Sequence, residues 1–483
     1  MIPLPVVVLA PLVASLVPSA FPAGTPRRIL RVSLALGAAL LPLALIGRAD
    51  GLSLSFSALV SILAFLAVTF STGRGFFVRI SGDIVGDPDG APTWSRVSVY
   101  FALLGAFWSA MLLVVLATTF TVVWLGISAT TLASAFLVAF GGEAAALEAA
   151  WKYLILCSMG IAFALIGMLL LAHVMLAAGL APTAALAWTA IHHDAPAAPP
   201  LARVAIALML IGFATKAGLV PMHAWLPDAH SKAPAPISGL LSGVLVSCAL
   251  YALMRTLEVA NALGCGPFAR EILMWLGVLS TVVAGVLMLV QSDLKRLLAY
   301  STVEHAGIVA LALGFGGPIG TIAALVHVFA HGFAKAAAFF AVGLVQRQTR
   351  TTSLRSLYGL WRAGGPGRML VAAFVALAGL PPFGLFVSEL LVVVAGVAAG
   401  RWVPLGLGLA GIVMGFAALA RTCIDLAGGE SAHHRPLATA GLVGVSTGAA
   451  VVGLTGAFGT FALPWTGVAT FLRDVAAGAG LGP

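Results

Sequence analysis

From Val97 to Phe140 the chain runs through enough sequence for two membrane crossings without one charged side chain. A bilayer core is crossed by about 20 apolar residues in a helix, and a chain folded in water does not leave so long a stretch uncharged. The rest of the sequence is of the same kind. Of 483 residues, 61% are apolar and 8% are charged, against roughly 25% charged in a soluble domain. A water-soluble globule is therefore excluded. The 55 glycines and 26 prolines follow no G-X-Y period, which excludes a fibre. What remains is an all-α polytopic membrane protein, because a spanning segment in lipid must satisfy its own backbone hydrogen bonds.

The apolar segments predict about fourteen transmembrane helices, near 4–22, 30–47, 53–72, 97–118, 119–140, 152–177, 203–228, 236–257, 272–291, 296–315, 318–345, 369–399, 402–424 and 437–463. The uncharged stretch is divided because a single helix of that length would overshoot the membrane. The first segment starts at Ile2 with no basic run before it and no A-x-A cleavage site, so it reads as a retained span rather than a signal peptide. No soluble domain fits. The longest connections run from Gly73 to Arg96 and from Gly179 to Ala202.

Orientation follows from the basic residues. With the N-terminus outside, seventeen fall in cytoplasmic loops, Lys152, Lys232, Lys295 and Arg296 among them. Six fall on the other side (Arg48, Arg203, Arg255, Arg270, Arg401, Arg473), and two are left inside spans. This is a positive-inside bias. It predicts a multi-pass protein of the bacterial cytoplasmic (inner) membrane with a periplasmic N-terminus. It also accounts for the net charge of +9 without a nucleic-acid face. Cys157, Cys248, Cys265 and Cys423 show no CxxC spacing, so no iron–sulfur cluster, zinc site or disulfide framework is read from them. There is no Walker loop and no strand–GxGxxG–helix unit, and Gly314–Gly320 reads as a loop between spans.

The two basic residues inside spans are Lys216 and Lys335. A charge at mid-membrane costs about 2.5–3.5 kcal/mol on insertion scales, so such residues persist where they pair or line a hydrated route. Lys216 is followed by Pro221, Pro227, Pro234 and Pro236, and Pro381–Pro382 precede Glu389 in the twelfth span. Proline breaks the helical ladder and frees carbonyls, which is tolerated where backbone lines a cavity. Two Pro-broken spans, five apart in order and each carrying a charge, predict two inverted five-helix repeats. The units are then 1–96 (helices one to three), 97–260 (four to eight), 261–427 (nine to thirteen) and 428–483 (the last helix and tail).

His327, His331 and Lys335 stand at i, i+4 and i+8, on one face of the eleventh span. Two histidines at this spacing can share zinc, but no carboxylate lies at short range and the lysine cation would repel a metal. Imidazoles leading to an amine suit proton transfer better, since histidine titrates near neutrality; polar glue between helices is the plainer alternative. Glu304 and His305 lie deep enough in the tenth span to pair with Lys335 or feed it, whereas Asp293, Lys295 and Arg296 mark its boundary. After Lys216, His230 and Lys232 read as a solvated cytoplasmic turn, and Asp228 as an anchor of the broken helix. His192–His193–Asp194 and His433–His434 lie in loops, and His173 reads as a satisfied core histidine.

The segments Lys216–Val244 (KAGLVPMHAWLPDAHSKAPAPISGLLSGV), Gln291–Gly314 (QSDLKRLLAYSTVEHAGIVALALG), His327–Gly343 (HVFAHGFAKAAAFFAVG) and Leu377–Leu391 (LAGLPPFGLFVSELL) together resemble the antiporter-like membrane subunits of respiratory complex I, Mrp cation/proton antiporters and energy-converting hydrogenases. The wording is most like the F component of the hydrogenases of formate hydrogenlyase complexes. The resemblance is dense from about Val97 to Leu391.

It implies a fourteen-helix proton-translocating module. Lys216 would centre one half-channel and Lys335 the other, with His327 and His331 on the axis between them and Glu389 at the exit. The family pairs its first lysine with a glutamate, at a place held here by Ser128, which puts the first half-channel in doubt. Glu143 and Glu148, in the loop after span five, are poor substitutes. The resemblance further implies a non-redox subunit of an oxidoreductase complex, of hydrogenase or NADH:quinone type. Its NiFe centre and iron–sulfur clusters would sit in partner subunits: a soluble electron-transfer arm beside other antiporter-like and small membrane subunits. Na⁺ in place of protons, a cation/proton antiporter or inorganic-carbon uptake system, and a transport-inactive scaffold are the alternatives. The family's long lateral C-terminal helix is not expected from this sequence, whose residues after the last span are too few to form it.

Overall fold

The computed structural model of the chain describes residues 3–21, 25–72, 96–194 and 200–428. The expected fourteenth span, the 428–483 unit, Arg74, Arg79, Arg435, Arg473, the His433–His434 pair and the side chains of His192, His193 and Asp194 lie outside what is described. Among the described residues the protein is helical, without a β-strand. In chain order the helices are α1 (Leu4–Leu16), α2 (Thr25–Leu40), α3 (Gly51–Ser71), α4 (Arg96–Val115), α5 (Phe120–Val138), α6 (Ala144–Ala177), α7 (Trp188–Asp194), α8 (Pro200–Ala217) and α9 (Trp225–Lys232). They continue as α10 (Ala235–Leu240), α11 (Val246–Ala262), α12 (Gly266–Leu289), α13 (Leu294–Phe315), α14 (Gly317–Thr349), α15 (Gly365–Leu377), α16 (Gly384–Ala398) and α17 (Trp402–Gly428).

Eleven helical stretches among the described residues are long and apolar enough to cross a membrane. The uncharged run divides into α4 and α5, and Thr119 caps α5 by accepting from Val122 N. The first expected span is short (Leu4–Ala20), and the twelfth is the pair α15 and α16. The long spans point apolar side chains both ways. On α6, Ile155, Met159, Phe163 and Ile166 are exposed at helical spacing, toward lipid. The opposite face is small: a Cβ on Gly160 or Gly167 would collide with Thr215 or with Ala205 and Met209 of α8. Close backbone approach of this kind replaces the hydrophobic drive that helices lack inside lipid.

The centre of the bundle is the continuous rod α10–α11, buried at every position from Ala235 to Ala260, packed with α13 and α14. At Leu241–Leu245 the rod relaxes into a π-helical turn, a feature common at functional sites. Gly243 in this turn lies against Gly332 of α14, where a Cβ would stand 2.7 Å from the Gly332 carbonyl oxygen.

Two spans are interrupted where the prolines predict. α8 stops at Ala217, Gly218 turns the chain at a φ of +74°, and α9 resumes at Trp225. The Thr215 carbonyl, freed by the break, accepts from Trp225 Nε1 at 2.9 Å, and Val220 N finds Ser280 Oγ at 2.9 Å. The second break runs from Ala378 to Phe383, with Gly379 at a φ of +64°.

Several expectations are corrected. Arg255 is no loop residue: it is 1% exposed inside α11, where its guanidinium holds Asp50 at 2.6 Å and Glu258 at 2.8 Å. Opposite charges in range let a cation stay buried there. Lys295 does not mark a surface but is 4% exposed. α6 starts earlier than drawn, so Glu143 stands at its N-cap position without a side-chain capping bond and Glu148 pairs with Lys152 on its exposed face. His173 is exposed rather than core.

Candidate functional site

Lys216 is the last basic group of α8 and is buried. Its Nζ donates to Thr131 Oγ1 at 2.8 Å and Tyr153 Oη at 2.5 Å, and it lies 4.6 Å from the Tyr153 ring centroid and 5.8 Å from that of Trp225. Tyr153 Oη also meets Ser134 Oγ at 2.6 Å. This cage is built of hydroxyls and aromatic faces, with no carboxylate in it. Ser128 lies one turn before Thr131, and its hydroxyl bonds back to the Trp124 carbonyl at 2.8 Å. Thr131 and Tyr153, which sequence reasoning missed, are the groups that hold the amine.

The second site is differently made. Lys335 of α14 donates to the Leu298 carbonyl and to Ser301 Oγ of α13, both at 2.8 Å, with Glu304 near enough for the charges to interact. One and two turns back along α14 stand His331 and His327, and His305 of α13 leans between them. Its ring centroid is 5.1 Å from that of His327 and 5.0 Å from that of His331. His305 Nδ1 and His327 Nε2 share a hydrogen bond of 3.0 Å, and His327 Nδ1 meets Ser388 Oγ of α16 at 2.9 Å. Glu389 follows Ser388 directly, and its carboxylate sits over Gly379 in the second break, in the space where a Cβ would be. In the same way the Glu304 carboxylate fills the notch at Gly415 of α17, and the two acids are close enough to interact.

The structure therefore gathers Glu304, His305, His327, His331, Lys335 and Glu389 around α13, α14 and α16, and leaves Lys216 in a separate cage. Glu304 Oε2 and His331 Nε2 have no hydrogen-bond partner among the described residues. Buried polar atoms are as a rule satisfied by protein or by ordered water, and these two lack a protein partner among the described residues. No group of three or more His, Cys, Asp or Glu among the described residues is arranged to hold a metal, and the shared hydrogen bond turns two of the imidazoles on each other.

Between the two lysines lies a residue that sequence reasoning misplaced. His230 is fully buried, not in a solvated turn. Its ring stands 6.4 Å from Trp225 and 5.8 Å from Phe339, and its charge would be felt by Lys335 and His331. Its nitrogens find no well-aligned partner, leaning only toward the Leu226 carbonyl. The signal was present: Leu226, Ala229, His230 and Ala233 form one helical stripe. Asp228 does anchor α9, pairing with Arg296 of α13 at 2.9 Å and lying 3.5 Å from Lys152 of α6.

Residues 117–415 match the family described as NADH:quinone oxidoreductase/Mrp antiporter, TM. A hydrogenase-4 component F homolog of Methylacidiphilum infernorum is 38% identical over 298 residues, covering 61% of this chain and 62% of that protein. NADH-quinone oxidoreductase subunit N 1 of Symbiobacterium thermophilum is 34% identical over 313 residues, 64% of this chain and 63% of its own. The chain thus spans a little over three fifths of the length of these curated relatives. Among solved structures, a chain of the archaeal membrane-bound sulfane sulfur reductase superposes with a TM-score of 0.83 at 21% identity, over 99% of this chain and 97% of that one. A chain of the Mrp complex from Dietzia sp. DQ12-45-1b gives 0.81 at 19% identity, over 100% and 98%. At these identities the structures share the fold.

Proposed function

This chain belongs to the NADH:quinone oxidoreductase/Mrp antiporter transmembrane family, and from that premise we propose that it translocates protons across the membrane as one subunit of a larger redox-driven complex. The observation that carries the reading is the buried cluster of Lys335, three imidazoles and two carboxylates, joined across three helices by hydrogen bonds and short ring distances. Ionisable groups inside a bilayer mark ion pathways. Neighbours that interact this closely titrate as a set, so loading one changes the readiness of the next.

In this reading a proton held at Lys335 passes by way of His331, His305 and His327 toward Glu389, with Glu304 the counter-charge and branch point. Lys216 and His230 form the adjoining half, with Asp228 anchoring the break between them and Ser128 leaving Lys216 without an acid. The two inverted repeats, 97–260 and 261–427, would be the two halves, within a fourteen-helix subunit whose N-terminus faces the periplasm of a bacterial inner membrane. The names of the hydrogenase-4 and NADH-quinone oxidoreductase relatives support partners of that kind. Among them would be a NiFe hydrogenase arm with iron–sulfur clusters, and the redox chemistry would lie outside this chain.

The test is proton flux in vesicles holding the intact complex. Lys335→Met is expected to abolish flux while the subunits still co-purify; undiminished flux in that variant defeats the assignment. Flux that follows a Na⁺ gradient with no partner turnover would move the protein to the cation/proton antiporters.

A further inference from the structure

A cavity of about 310 Å³ opens where the α5–α6 turn, α9, α13 and α14 meet, lined by Glu143, Ser231, Lys232, Asp293, Lys295 and Arg296 among others. At roughly 30 Å³ per water it holds on the order of ten waters. Charges of both signs make its wall, which suits water and small ions and not an acyl chain. We propose that this vestibule is the port through which protons reach the second lysine site from the basic face of the membrane, and that Lys295 is the amine that loads it. The inference rests on the translocation reading above and names its inlet.

The placement of Lys295 carries the argument. It lines the cavity yet is 4% exposed, and among the described residues its Nζ makes one hydrogen bond, to the Ala233 carbonyl at 3.1 Å. An ammonium has three donors on a flexible stem, so the remaining two are free to meet water. Asp293, beside it, is already engaged: it caps α13 by accepting from Arg296 N at 2.9 Å and binds Thr352. It therefore does not lock the amine.

From Lys295 the same helix leads inward. Leu298, one turn on and about 4.5 Å further along the axis, supplies the carbonyl that holds Lys335, and Ser301 supplies the hydroxyl. Glu304 and His305 come next. Lys216, on α8, is enclosed by Thr131, Tyr153 and Trp225, and none of these is among the vestibule's lining residues. In the step proposed, a hydronium in the vestibule gives its proton to the neutral Lys295 amine and is left as water. The ammonium then releases one to water on the α13 side, from which Lys335 takes it up. Lys295 ends as it began, and only N–H and O–H bonds form and break.

The experiment uses everted vesicles of the whole complex, with Cys423, the one half-exposed cysteine among the described residues, replaced by serine. Ser231→Cys is treated with an impermeant sulfonated thiosulfonate reagent; Ser356→Cys, exposed in the α14–α15 loop on the same face but outside the cavity, is the control. Modification at Ser231→Cys is expected to cut flux at least about tenfold, the equivalent of 1.4 kcal/mol in the barrier, and to leave the Ser356→Cys control unchanged. Lys295→Met and Lys295→Arg should both lose flux with assembly intact, because arginine keeps the charge but does not give up its proton. Full flux in modified Ser231→Cys, or rescue by Lys295→Arg, overturns the port while a dead Lys335→Met leaves translocation standing. A wild-type complex without flux overturns both.

Discussion

Lys216 and Lys335 occupy the same kind of place, a buried amine beside a central helix, but the protein compensates their charge in different ways. Around Lys216 the partners are neutral: two hydroxyls at 2.8 and 2.5 Å and two aromatic faces. Around Lys335 the hydrogen-bond partners are neutral too, the Leu298 carbonyl and the Ser301 hydroxyl, but a carboxylate, Glu304, is near enough for the charges to interact and a run of imidazoles stands next along the helix. Among the described residues the groups that hold Lys216 include no imidazole and no carboxylate. Groups that titrate can take over a proton. Under the proposed translocation, a buried lysine becomes part of a route through its neighbours, and the cluster around Lys335 is the one so equipped.

The difference is sharpened by removing each part in turn. Lys335→Met should have the largest effect, at least about a hundredfold in proton flux, the lower end of what a positioned acid–base group supplies. Glu304→Gln keeps the shape and removes the counter-charge, and should cost about tenfold in the same assay, or 1.4 kcal/mol in the barrier. Gly415→Ala puts a methyl into the space of the Glu304 carboxylate; a loss of about threefold, under about 1 kcal/mol of barrier, is expected, measured against flux in Gly408→Ala, which meets only the tip of Leu311. Lys216→Met should cost only about twofold; a loss equal to that of Lys335→Met would erase the distinction between the halves. Arg255→Ala tests a buried charge off the route. It removes the buried guanidinium that pairs with Asp50 and Glu258 and should destabilise the protein by about 3–5 kcal/mol, read by chemical denaturation, with flux per folded molecule unchanged.

How much of this was legible beforehand differs between the same regions. His327, His331 and Lys335 announce themselves because they interrupt one apolar helix at a spacing that gives them a common face. The prolines near Lys216 and before Glu389 locate both breaks for the physical reason that proline cannot continue the ladder. Local pattern does not say which helices touch. Thr131 and Tyr153 meet Lys216 across 85 and 63 residues of sequence, and nothing in their own segments marks them. His230 misled because its neighbours Asp228, Ser231 and Lys232 are polar. α9 resumes the interrupted span beyond the break, and its apolar stripe is buried and carries the imidazole with it. Arg255 misled for a related reason: its two acids are Glu258, three residues on, and Asp50, on another helix.

The central claim is that the polar groups around Lys335 are joined by water into a path. The most direct measurement is a cryo-EM map of the assembled complex fine enough to show ordered water. The account predicts density within hydrogen-bonding distance of Glu304 Oε2 and of His331 Nε2, continuous toward Glu389. Dry side-chain packing against both atoms would contradict it.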